Sequence, residues 1–273
     1  EGRKGGMMVA DPDWGWTRDA VIDLLSAGFE AVKDRPPDDR LPYANRALVW
    51  DVLRPLTEDP KLSAQDELGE KFDPAFLSIN STRGRAIDAV VDYAWWVRRC
   101  TDAERKASGQ PPVTFDAMPE VREVLDTHLD IEKEPTLTIR SLYGRHLTSF
   151  ASLDWDWLRT NVDRILPPGQ DDAPRFNAAW RSFVGFNQPH PLLLQALMPA
   201  YQRAVRQITA GPKTKGHPVS PEDRLAEHLM VYYWLGKLEF GAADRLLYEF
   251  YALVPDELRG HAMWFVGTSI ANW

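Results

Sequence analysis

One cysteine, Cys100, stands in 273 residues, which excludes an internal disulfide and any cysteine-rich zinc site. Long apolar runs are missing too. No stretch approaches the roughly 18 residues needed to span a bilayer, and the start lacks the apolar core of a signal peptide, so a soluble, cytoplasmic chain is expected, with no membrane partner. Lysine and arginine form no tail or stripe. With 40 acidic against 32 basic residues the formal charge is -8. Binding phosphates needs local positive potential, so nucleic acid is not an expected partner.

The patterns that announce chemistry are also absent. There is no His-Glu-x-x-His, Gly-x-Gly-x-x-Gly, phosphate-loop Gly-Lys-Ser/Thr, Gly-x-Ser-x-Gly or Ser-x-x-Lys. His128, His146, His190, His217, His228 and His261 form no close pair, so no metal site is expected. His228 and His261 recur at matching positions and read as packing residues with a polar contact. Cys100 follows Arg98 and Arg99, which would lower a thiol pKa, although a bland helical cysteine is the simpler reading. No catalytic residue, cofactor or metal ligand is assigned, and the chain reads as non-enzymatic.

What is present is tryptophan, 11 residues of it, and a repeated pattern. Asp13-Trp14-Gly15-Trp16-Thr17-Arg18 and Asp154-Trp155-Asp156-Trp157-Leu158-Arg159 share Asp-Trp-x-Trp-x-Arg at an offset of 141 positions. The offset also pairs Val21 with Val162 and Leu25 with Leu166. Each aspartate is expected to cap a helix whose first turn carries the second tryptophan, making the two segments equivalent packing joints. A second, weaker echo at an offset of 33 places Leu225-x-x-His228-x-Met230 over Leu258-x-x-His261-x-Met263.

Apolar residues recur at helical spacing along nearly the whole chain. Helices are expected from Trp16 to about Lys33, from Tyr43 to Thr57 with a kink or stop at Pro55, and from Thr82 to Ala107 behind an Asn80-Ser81 cap. Further ones follow from Met118 to Leu129, from Glu134-Pro135, after Asp154, after Pro174, and from Leu192 to Ala210. The last begin at Ser220-Pro221, near Ala242 and at Pro255. Thr136 to Ile139 is the best strand candidate, but it runs straight into a helical pattern. The expected fold is all-α, about 11–13 helices in a superhelical stack of antiparallel pairs, a TPR- or HEAT-like α-solenoid. Residues 1–10 read as a disordered start, and 11–273 as one helical repeat domain with subdomains 11–108 and 115–273 divided by Gly109-Gln110-Pro111-Pro112. The start at Glu1 and the stop at Trp273 inside an apolar pattern read as a piece of a longer polypeptide.

Candidate contact residues cluster in three places. At Asn80-Ser81-Thr82-Arg83-Gly84-Arg85, a helix start carries Arg83 and Arg85, suited to an acidic partner or to bonds between helices, while Gly84 admits a neighbouring backbone. Arg140, Gly144 and Arg145 suit a tight helix crossing with an arginine reaching over it. Trp155, Trp157 and Arg159 lie in the second tryptophan segment, where Asp154 and Asp156 give an enzymatic alternative its least arbitrary site: a helical glycosidase or lyase using acidic residues beside an aromatic groove.

Ser78-Ile79-Asn80-Ser81-Thr82-Arg83-Gly84-Arg85-Ala86, then Met118-Pro119-Glu120-Val121-Arg122, then Ser141-Leu142-Tyr143-Gly144-Arg145-His146 and Ser152-Leu153-Asp154-Trp155 resemble the helical region behind the nucleotide-binding core of large bacterial STAND-type, NACHT-like NTPases. Those proteins are similar to ones used in antiphage defence. The resemblance spans about residues 11 to 273. It implies a sensor or scaffold that recognises a protein partner, such as a phage component, works within a larger polypeptide or a homo-oligomer, and relays binding to domains outside this chain. The NTPase motifs themselves have no match here, so any ATP hydrolysis would lie elsewhere.

Overall fold

A computed structural model describes residues 11, 13–30, 41–68, 72–208, 220–241 and 245–271. The expected disordered start, the Arg35–Asp39 stop and the Gly211–Pro218 break lie outside the described residues. Thirteen α-helices and no strand occur among those described. No described helix is long and apolar enough to cross a membrane. The chain divides into two compact units, 1–136 and 137–273.

The first unit holds α1 (Gly15–Phe29), α2 (Arg46–Thr57), α3 (Pro74–Asn80), α4 (Thr82–Ala107) and α5 (Pro119–Leu129). Ser81 accepts a hydrogen bond from the Gly84 N–H and starts α4, and Pro74 at the first position of α3 follows the Asp73 cap. α4 is the axis, because its apolar residues cover most of its circumference and α1, α2 and α3 all pack on it. Phe29, Tyr93 and Trp96 meet at its centre with ring separations of 5.6–5.8 Å. Gly84 is where α3 comes closest: a Cβ there would lie 2.0 Å from the Ser78 carbonyl oxygen. Pro55 sits inside the last turn of α2 without ending it early.

The Gly109–Pro112 break does not part the units. Arg46 on α2 donates to Glu120 on α5 at 2.5 and 3.0 Å and to the Ala117 carbonyl at 3.1 Å, and the Tyr93 hydroxyl donates to the same Glu120 oxygen at 2.9 Å. These bonds hold α5 to the first unit, and the division falls after Thr136.

The second unit contains α6 (Leu137–Arg145), α7 (Leu147–Leu153), α8 (Trp155–Ile165), α9 (Ala173–Phe186), α10 (Pro191–Gln207), α11 (Pro221–Trp234), α12 (Leu246–Leu253) and α13 (Asp256–Ala271). Thr138 and Ile139, the best strand candidates, lie in α6, buried on every side. α6 packs most closely not on its sequence neighbour but on α9, with Gly144 under the Ala179 backbone and Ser141 bonded to Ser182 at 2.7 Å. α9 is followed spatially by α11, and α11 by α13, while α12 packs on α10. These pairings skip helices that adjoin in sequence, whereas α7 packs on its neighbour α8.

The two tryptophan segments are not equivalent. Asp154 caps α8, accepting from the Trp157 N–H at 2.8 Å, and Trp157 is buried against Phe150. Asp13 caps nothing: Trp14 occupies the cap position of α1 with a left-handed φ of 55°, and Asp11 instead accepts from Thr17 at 3.0 Å. Trp14 and Trp16 are 68% and 60% exposed, so the first segment is no packing joint.

Candidate functional site

Most of the charged residues singled out in the sequence are spent inside the units. Arg83 donates to the Asp59 carbonyl at 2.6 and 2.8 Å and to Glu134 Oε2 at 3.0 Å. His128 donates through Nδ1 to the same Glu134 oxygen at 3.1 Å, while the Thr136 hydroxyl and N–H bond Glu134 Oε1. Arg18 pairs with the Asp59 carboxylate at 3.0 Å. Asp59, His128 and Glu134 are all buried. Burial works to raise the Glu134 pKa, but the bonds from His128 and Thr136 and the Arg83 charge outweigh it and hold the carboxyl below its ordinary value. A carboxylate so saturated with donors is a strut, not an available base.

Arg85 pairs with Asp19 at 3.3 Å and with Asp23, pinning α1 to α4. Arg140 is 2% exposed, and its guanidinium donates to the Arg164 carbonyl at 2.9 Å near the end of α8, where a cation meets the negative end of the helix dipole. Arg145 lies half-buried over the Phe186 ring. Trp155 is half-buried, Trp157 buried and Arg159 exposed. Asp154 is committed to its cap, and Asp156 is exposed.

His228 sits between Tyr201, whose hydroxyl donates to Nδ1 at 2.8 Å, and the Asn187 carbonyl, which accepts from Nε2 at 3.0 Å. Burial depresses its pKa to about 4, so the ring is neutral at pH 7. His261 bonds Glu227 at 3.0 Å. Neither histidine is free to shuttle a proton. Cys100 lies on the exposed side of α4, and burial raises its thiol pKa against the smaller effect of Arg99. The two neighbouring arginines are engaged elsewhere, Arg98 over Trp95 and Arg99 on the Phe29 carbonyl. Among the described residues no three His, Cys, Asp or Glu side chains are grouped to hold a metal.

The free polar groups converge elsewhere, in a groove of about 370 Å³ between α9, α10 and α11. Trp180, only 5% exposed, reaches the base of the groove with one edge, fixed edge-on to Tyr201 at 4.9 Å and stacked on Phe176 at 5.9 Å. Ala204, Ile208, Pro221 and Leu225 complete the apolar part, and Asn177, Arg181, Gln207 and Glu222 are its polar lining. All four are exposed, and none has a bond or ion pair within the described residues. The volume lies in the range of small-ligand and peptide sites, and an apolar base with a few polar groups is their usual make-up. The groove's polar ring draws on helices as much as 45 residues apart and has no local signature in the sequence.

Compared with family models, with curated proteins and with solved structures, the chain matches none.

Proposed function

We propose that the chain is a non-catalytic recognition module of a larger bacterial defence-type NTPase, taking a protein partner such as a phage component and relaying its binding to domains outside this chain. The groove over Trp180 carries this reading. Its ring offers one cation, one anion and two amides around a rigid aromatic edge, a set suited to an extended peptide segment: Arg181 for a carboxylate, Glu222 for an ammonium, Asn177 and Gln207 for backbone amides. The succession α9, α11, α13, together with the 33-residue echo, supports a repeat architecture of the TPR or HEAT kind in this part of the chain. A photo-crosslinker at Gln207, used on the complete gene product in lysate from phage-infected cells, tests the role. Capture of a defined protein that is lost in Arg181→Glu is the expected result, and labelling unchanged by that substitution overturns it.

A second reading rests on the same groove. Glu222 and Arg181 lining one groove are also the pair a helical lyase would use, with the carboxylate as base and the guanidinium holding an anionic substrate. The glycosidase form lacks a second carboxylate among the lining residues. Turnover abolished by Glu222→Gln with the fold intact would establish this reading over recognition.

A further inference from the structure

The outer face of α13 carries Gly260-x-x-Met263-Trp264-x-x-Gly267, four residues on one helical stripe, and all four are exposed. Met263 is 59% and Trp264 61% uncovered, and Ile270 extends the stripe at 56%. The opposite face is anchored: Leu258 and Ala262 are buried where α13 packs on α11. No charged residue occurs from Ala262 to Ala271. The stripe continues onto neighbouring helices, since the Tyr251 hydroxyl lies 3.6 Å from the Met263 sulfur and the Tyr251 ring is joined through Phe240 to Tyr233.

Two features point to what covers this face. A glycine inside a helix is unfavourable, yet α13 holds two, and a Cβ built at either would meet nothing within 4 Å. Gly84 and Gly144 show what this chain gains from such residues, because each lies against another segment's backbone. The second feature is symmetry. Read in either direction from the midpoint between Met263 and Trp264, the stripe gives a large side chain and then a glycine at the same spacing. In a twofold contact the same patch serves both copies, so a stripe that reads alike in both directions sets glycine against glycine and a large side chain against a large one.

We propose that α13 is a self-association element, pairing antiparallel with α13 of a second copy about an axis between Met263 and Trp264. In that register each Gly260 faces the partner's Gly267, so the backbones approach closely, and each Met263 sulfur packs on the partner's Trp264 ring. Tyr233, Phe240, Met263, Trp264 and Ile270, each about half uncovered, offer on the order of 500 Å² per copy, counting half of the 150–250 Å² an aromatic buries. That is below the ~800 Å² per partner of a standard interface and belongs with weak, transient contacts. The net charge of -8 on each copy opposes pairing at long range, so moderate salt strengthens it.

Sedimentation velocity from low micromolar to submillimolar concentration reads the association. The wild type is expected to rise from 31.1 kDa towards twice that mass. Gly267→Leu, at a position where a Cβ meets nothing within 4 Å, is expected to weaken association at least ~10-fold while leaving the melting temperature unchanged or higher. Trp264→Ser is expected to do the same to association. A wild type that stays at 31.1 kDa throughout overturns the proposal, as does Gly267→Leu pairing like wild type. This inference does not depend on the groove: a monomeric protein that keeps Arg181-dependent capture overturns the dimer alone.

Discussion

Gly144 lies directly beneath Ala179, so close that a Cβ at Gly144 would stand 1.9 Å from the Ala179 carbonyl oxygen. The obstacle is backbone, which cannot swing aside as a side-chain tip would, so the α6–α9 crossing distance is set by a single hydrogen atom. Gly144→Ala is expected to cost about 3 kcal/mol by forcing the helices apart. Gly185, in the last turn of α9, has open space around it, and Gly185→Ala is expected to be neutral or stabilising by up to about 1 kcal/mol. Urea denaturation of the two variants checks the pair, and equal effects would mean that the crossing is looser than described.

His228 gives a pH dependence of known sign. Its folded pKa of about 4 lies below the ordinary 6.5, so in the interval between them the unfolded chain binds a proton that the folded chain refuses. The contribution is complete above 6.5 and lost as pH falls towards 4, about 3 kcal/mol in all at 1.36 kcal/mol per pH unit. Urea midpoints measured between pH 7 and 4 should fall in wild type and flatten over this interval in His228→Gln.

Glu134 acts in a more acidic window. Its folded pKa is held below the ordinary 4.5, so its contribution is present above that value and disappears as pH drops through the folded pKa. Glu134→Ala at neutral pH leaves Arg83 and His128 facing each other in a buried place without their anion, at an expected cost of about 3–5 kcal/mol. Replacement by an alanine that left the melting temperature within a degree or two would show the network to be dispensable.

Cys100 is expected to react slowly. With its pKa raised by burial, the thiolate fraction at pH 7 is smaller than that of an unstructured cysteine, and labelling by a thiol-specific disulfide reagent should lag behind glutathione under the same conditions. A rate equal to or above glutathione would contradict the environment described for α4.

The elements legible in the sequence are those fixed locally. α4 spans Thr82–Ala107 as its apolar rhythm and serine cap require, and the Ser220 start of α11 carries a complete capping box. The arginine–glycine groupings were visible too, since Gly84 and Gly144 each announce a backbone approach, although not which backbone arrives. Similarity of motif misled at Asp13: the segment matches that of Asp154, but a glycine between its two tryptophans and an aspartate two residues upstream yield a different helix start. The pairing of α6 with α9 and the assembly of the groove were illegible, because both depend on contacts between residues far apart in the chain. Glu134 was read as a helix opener, and nothing in its neighbours signals that it gathers Arg83 and His128.

The capping box at Ser220 has a consequence for how the polypeptide can be rewired. The Ser220 hydroxyl accepts from the Asp223 N–H at 3.0 Å, and the Asp223 carboxylate takes the Ser220 N–H at 3.1 Å, so α11 terminates itself without help from the preceding chain. α11 therefore carries its own start signal, and a gene split immediately before Ser220 would leave that helix end satisfied in the separate half.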